Sequence, residues 1–140
     1  MSKRSSIVLD THVWLWFVDG NATLKKQAVA DITATAMAGS LLIPAICVWE
    51  IAMLQDRGRL TLNKPLKDWI NEALDLSGTF LAPLSPDVAI ESCKLPGKFH
   101  SDPADRMIVA TARIENATIL TRDKRILEYG LQGFVSARAI

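Results

Sequence analysis

The sequence predicts an α/β domain with a mainly parallel central sheet of four or five short strands flanked by helices, and three observations carry that expectation. Short apolar runs rich in β-branched residues alternate with longer stretches of helical periodicity, the pattern of strand and crossover helix. Two of those runs end at an acidic residue, on the edge where such sheets bind ligands. The chain has 140 residues, 49% of them hydrophobic, enough for one core. No linker, charge block or internal repeat divides it, so residues 1–140 are expected to form a single domain.

Taken in order, Ile7 to Leu9 is a short apolar run that reads as a buried parallel strand, and it delivers Asp10. Val13 to Val18 carries too many large apolar side chains for a solvated loop and reads as a short helix beginning at Thr11 or His12. Thr23 is placed to cap a helix from Leu24 to about Met37, favoured by its alanines and ended by Gly39-Ser40. Leu41 to Ile43 is the second strand. After Pro44, Ala45 to Gln55 reads as helix, with Ile46, Trp49, Met53 and Leu54 on neighbouring apolar positions and Glu50 among them.

Asp56 to Leu60 forms a helix exit and basic loop, and Pro65 opens a helix to roughly Leu76. Thr79 to Leu84 is the third strand. Ser85-Pro86-Asp87 then starts a helix to about Lys94, closed by Pro96-Gly97. Pro103 to Asn116 is the central helix, and Ala117 to Thr121 is the fourth strand, stopping at Arg122-Asp123. Asp123 can cap a short helix from Lys124 to Tyr129, and Phe134-Val135 forms a small last strand.

Composition narrows the class only a little. A net charge of +1 neither supports nor excludes nucleic acid, because a local basic rim suffices. Cys47 and Cys93 lack metal-like spacing and read as buried free thiols in a reducing compartment, so a cytoplasmic protein is expected. Lys3 and Arg4 precede too short an apolar run for a signal peptide, and no stretch approaches the ~20 apolar residues of a spanning helix.

The chemistry is concentrated in His100 to Asn116. Asp102 before Pro103 reads as an N-cap, and Asp105 falls at the third helical position. Asp105 also starts the stripe continued by Ile108, Val109 and Ala112, which should face the core. Glu50 repeats that oddity between Ile46 and Leu54. With Asp10 and Asp123 at strand ends, four carboxylates are expected on one edge without an internal cationic partner. Their repulsion requires a multivalent cation, and oxygen donors without His or thiolate point to Mg²⁺ or Mn²⁺. Such an ion suits phosphodiester hydrolysis by activated water.

The segments LDTHVWLW, VWEIA, HSDPADRMIVATA and TRD, in this order and spacing, resemble the PIN-domain ribonucleases of the VapC toxin type. The resemblance spans nearly the whole chain. It implies a PIN-like fold, Mg²⁺- or Mn²⁺-dependent endonucleolytic cleavage of an RNA substrate, a homodimer and inhibition by a small cognate antitoxin. Residue by residue it implies a catalytic and metal-binding set of Asp10, Glu50, Asp105 and Asp123, with Asp102 nearby. The chain departs from the pattern at Cys47, Leu54 and Ala104, where Ser, Lys and Phe are common; none of these changes removes an acid.

Plainer roles compete at each position. Asp10 suits a turn, Asp123 a helix cap, and Glu50 a surface site. Thr11 and Thr121 are candidates to hydrogen-bond a metal ligand or bound water, though threonines are also common at turns. His12 and His100 are conceivable general bases, which activated water makes unnecessary. Arg106 and Arg122, with Lys124 and Arg125, are candidates to hold RNA phosphates. The four tryptophans suit the core, Trp14 and Trp16 alternatively an interface beside Asp10. An aspartate-nucleophile phosphatase would want a second acid where His12 stands. The remaining rival is a catalytically silent interaction domain of the same fold.

Overall fold

The computed structural model describes residues 6–140, so the reading of Lys3 and Arg4 lies outside the described residues. The chain runs β1 (Ile7–Leu9), α1 (Thr11–Asp19), α2 (Lys26–Met37), β2 (Leu41–Pro44), α3 (Ala45–Asp56) and α4 (Leu66–Leu74). It continues through β3 (Thr79–Ala82), α5 (Pro86–Cys93), α6 (Pro103–Glu115), β4 (Thr118–Thr121), α7 (Lys124–Leu131) and β5 (Ser136–Ala139). The five strands form one sheet in the order β3-β2-β1-β4-β5, every neighbouring pair parallel, as the alternating pattern requires. β1 is central, with Ile7 opposite both Leu41 and Thr118. The chain winds outward to β3 and then returns across the sheet to β4. The order therefore reverses between β1 and β4, and a cleft opens there beyond their carboxyl ends.

Val8, Leu9, Ile43, Ile119 and Leu120 are completely buried, consistent with a parallel sheet covered on both faces. α6 packs on β1, β2, β4, α3 and α5, burying Ile108, Val109 and Ala112 on the expected stripe. It ends at Asn116, whose φ of 53° supplies the left-handed cap. Trp14 and Trp69 meet edge to face with centroids 5.2 Å apart. Trp14 is only 1% exposed, so it belongs to the core and is unavailable to any partner; Trp16 is half-buried.

Several expectations need correction. α2 begins at Lys26, after Lys25 and without a side-chain cap, and Thr23 lies instead in a turn where Asn21 accepts its N–H at 2.8 Å. α4 stops at Leu74, and β3 stops at Ala82 before Pro83, which has no N–H to offer the ladder. The last strand is Ser136–Ala139 rather than Phe134-Val135, since Phe134 packs on Tyr129 instead. Cys47 is buried but Cys93 is exposed. The buried face of α3 carries Cys47 and Ile51, whereas Trp49 is 55% exposed. That helix is apolar on nearly every side, so periodicity could not identify its inner face. Ile46, Glu50 and Leu54 share its half-buried flank.

Leu120 has no exposed surface on β4 and packs in the main core. Leu120→Ala should cost about 2 to 5 kcal/mol of unfolding free energy, measured by urea denaturation; a loss below about 1 kcal/mol would mean that the core around β4 can collapse around the missing side chain.

Candidate active site

Three of the acids in the cleft double as helix caps. Asp10 precedes α1, and its Oδ1 accepts the Val13 N–H at 3.0 Å. Asp102 precedes α6 and accepts the Ala104 N–H at 3.0 Å. Asp123 precedes α7 and accepts from the N–H groups of Arg125 and Ile126 at 2.8 and 3.2 Å. β1 and β4 run into α1 and α7, and the loop after α5 brings the start of α6 to the same cavity, where the partial positive charge of each helix N-terminus favours a carboxylate. Glu50 comes from the flank of α3, and Asp105 from the first turn of α6.

Two buried threonine hydroxyls orient these acids. The Thr121 hydroxyl donates to Asp10 Oδ2 while its oxygen accepts the Asp123 N–H at 2.9 Å, so one hydroxyl joins the ends of β1 and β4. The Thr11 hydroxyl donates to Glu50 Oε1 and ties α1 to α3. Both threonines hold a carboxylate directly, as sequence had left open.

Asp10, Glu50, Asp102, Asp105 and Asp123 line one cavity of about 370 Å³ with Thr11, His12, Trp16, Arg122 and Arg125. Burial raises the carboxyl pKa of Asp10 above its usual range, partly offset by the bonds from Thr121 and Val13. Burial also raises that of Glu50, opposed by the Thr11 bond and reinforced by the charge of Asp102. Asp105 is pushed up to about 7, first by burial and then by the charges of Asp102, Asp123 and Glu50. At all three acids burial is the first reason that the charged form is disfavoured, and neighbouring carboxylates add to it.

Even so, the carboxylates do not converge as tightly as sequence suggested. Among the described residues, no group of three or more His, Cys, Asp or Glu side chains is placed to hold a metal ion by itself. Each capping acid spends an oxygen on its own helix, and Glu50 spends one on Thr11. The all-oxygen donor set and the raised carboxyl pKa values do suit a hard divalent cation. Asp10, Glu50, Asp105 and Asp123, all lining the one cavity, are the side chains that could offer such oxygens.

The basic rim is smaller than expected. Arg106 must be withdrawn as a phosphate ligand, because its Nε donates to the Ser92 carbonyl at 2.8 Å and its Nη1 to the carbonyls of Phe99 and His100 at 2.9 and 3.2 Å. Arg122 is exposed at the cleft, with Cζ 5.6 Å from the centroid of the Trp16 ring. Arg125 lines the cleft too, its Nε 3.9 Å from Asp123 Oδ1. Against the expectation that the acids lack an internal partner, His100 Nε2 lies 3.0 Å from Asp105 Oδ2. Burial, and then the charge of Arg125, lower the His100 pKa from its ordinary value, which disfavours the charged ring. The spacing His100, Asp102, Asp105 was the available signal, but whether the ring turned inward depended on the loop.

A second cavity, of about 440 Å³, lies beside Trp69 and Leu76 and carries an ion pair already closed between Lys64 and Glu72. Among the described residues no helix is long and apolar enough to cross a membrane.

The PIN domain family matches residues 7–131. The chain is 31% identical over 122 residues to ribonuclease VapC22 of Mycobacterium tuberculosis (strain ATCC 25618 / H37Rv), covering 87% of this chain and 90% of that one. Its fold is similar to that of VapBC2 from Rickettsia felis bound to a DNA fragment from its promoter, with TM-score 0.67, 14% identity, and coverage of 95% of this chain and 97% of that one. FitAcB from Neisseria gonorrhoeae is similar at TM-score 0.59 and 23% identity, over 94% of this chain and 95% of that one.

Two expectations follow from the cleft. Asp105 holds its proton up to about pH 7 when folded but only to about 3.8 as an unperturbed carboxyl. Between those values the folded state binds more protons than the unfolded one, so metal-free stability should rise as the pH falls through that window. Melting curves at successive pH values check this, and a steady fall in melting temperature on acidification would show that the charges are already compensated. Asp102→Ala should lose about 0.5 to 2 kcal/mol as a missing cap and keep appreciable turnover, whereas Asp105→Asn should keep the fold and lose metal-dependent turnover. Melting temperature and RNA cleavage for the two variants separate cap from ligand, and the reverse outcome would exchange their roles.

Proposed function

The chain belongs to the PIN-domain family, VapC type, and from that premise we propose that it is an endoribonuclease, the toxin of a toxin-antitoxin pair. Its action is hydrolysis of RNA phosphodiester bonds, with residues 1–140 working as one domain. The carrying observation is the cleft at the β1 and β4 ends, where Asp10, Glu50 and Asp105 all have raised carboxyl pKa values beside an exposed Arg122. Asp10, Glu50 and Asp105, with Asp123 beside them, would hold Mg²⁺ or Mn²⁺. When bound, the ion supplies the acidity that makes water a nucleophile at neutral pH and offsets charge on the phosphate.

The protein's own groups do the rest. Thr121 and Thr11 keep Asp10 and Glu50 turned into the cleft. Arg122, set above Trp16, is free to hold a neighbouring phosphate of the strand and compensate its charge. The names of the relatives, a ribonuclease and a VapBC complex, support RNA as substrate and a small antitoxin as partner. Phe80 and Leu81 are exposed on edge strand β3, apolar surface of the kind a second copy would cover in a homodimer. The open spacing of the acids favours one rival, a silent interaction domain, which turnover decides.

Asp10→Asn and Glu50→Gln keep side-chain size and remove charge; Asn also caps a helix as well as Asp does, so α1 should survive. Each purified variant should keep the melting temperature of the metal-free protein and lose cleavage of RNA supplied with Mn²⁺, as the wild type should with EDTA. Undiminished cleavage by either variant would remove its residue from the metal site.

A further inference from the structure

His100 is built into place more carefully than a loop residue needs. Its side chain is 18% exposed, and its Nε2 is fully buried, 3.0 Å from Asp105 Oδ2 yet out of line for a hydrogen bond. Among the described residues Nε2 has no other partner. On the opposite side of the ring, Nδ1 accepts the Asp102 N–H at 3.4 Å, which leaves the ring proton on Nε2, facing the carboxylate. The imidazole lies against Phe99 with centroids 4.4 Å apart, and Phe99 lies against Tyr129 at 4.9 Å. Arg106, directly after Asp105, clamps the carbonyls of Phe99 and His100, so the first turn of α6 is tied to the loop before it.

We propose that His100 is a positioning residue that donates its Nε2–H to Asp105 Oδ2 and so turns the other oxygen of that carboxylate into the cleft. The proposal rests on the functional reading above and concerns how this chain aims one of its acids. Asp102, Asp123 and Glu50 all press on Asp105 with like charge, and a carboxylate without a directional partner turns wherever repulsion is least. A buried donor without an aligned acceptor is costly, and a carboxylate oxygen at 3.0 Å is the nearest remedy. A small rotation of either group closes the bond. Hydrogen bonds that hold metal-ligating carboxylates have large effects on metal affinity when removed.

The test uses the full chain and Mn²⁺ alone as ligand, followed by calorimetry, with RNA cleavage measured in parallel. His100→Phe keeps the ring and its stack on Phe99 but removes both nitrogens, and should weaken Mn²⁺ binding about 10- to 100-fold without lowering the metal-free melting temperature. His100→Gln carries an amide N–H near the original Nε2 and should recover most of the affinity, whereas His100→Asn, whose amide stops short, should not. The Gln and Asn contrast holds even if the Phe variant folds poorly. In an Asp105→Asn background, His100→Phe should add no further loss. Unchanged Mn²⁺ binding by a folded Phe variant, equal binding by the Gln and Asn variants, or an added loss without the Asp105 carboxylate would each overturn the proposal while leaving the ribonuclease reading intact. A wild-type chain that neither binds Mn²⁺ nor cuts RNA overturns both.

Discussion

The structure depends on one economy: three of the carboxylates that line the cleft are also the groups that start its helices. A parallel strand running into a helix leaves unsatisfied N–H groups at the helix start, and an aspartate at that junction satisfies them. Asp10 and Asp123 do this for α1 and α7, and Asp102 caps α6 in the same way after the loop from α5. Since β1 and β4 are neighbours, their following caps open on the same side. The Thr121 hydroxyl then joins Asp10 to the Asp123 backbone. Removing such an acid entirely would disturb local folding as well as charge, whereas its amide separates the two effects.

The same arrangement sets the electrostatics. Each helix start favours a nearby carboxylate, and the threonine bonds help, but burial and mutual repulsion prevail at Asp10, Glu50 and Asp105. Bound positive charge would relieve that imbalance. Asp10, Asp102 and Asp123 are each tied to the helix they start, and Glu50 to the Thr11 hydroxyl. Arg122 and Arg125 remain at the mouth, where strand phosphates would arrive.

Arg106 shows how a motif residue can serve a site without facing it. Its guanidinium binds three backbone carbonyls and fastens α6 to the end of α5 and to the loop at Phe99 and His100. The aromatic stack of His100, Phe99 and Tyr129 rests on that clamp. The motif therefore lines the cleft with Asp105 and supplies mechanical support one residue later.

Sequence by itself determined the parallel α/β class, most of the element order and the acids that meet, because these follow from local patterns. Alternating apolar runs specify strands and helices, Asp-Pro marks a helix start, and an acid ending a buried strand must lie on the sheet edge. The inner face of α3 was illegible because that helix is apolar almost all round, so only packing chose Cys47 and Ile51 over Trp49. Arg106 and Arg122 look alike in sequence, and tertiary structure alone gave one a set of carbonyls and left the other at the cleft. The same holds for His100, whose contact with Asp105 depends on a loop held by α5, α6 and α7 together. Periodicity describes one element at a time, whereas the direction of a polar side chain is settled by which element packs beside it.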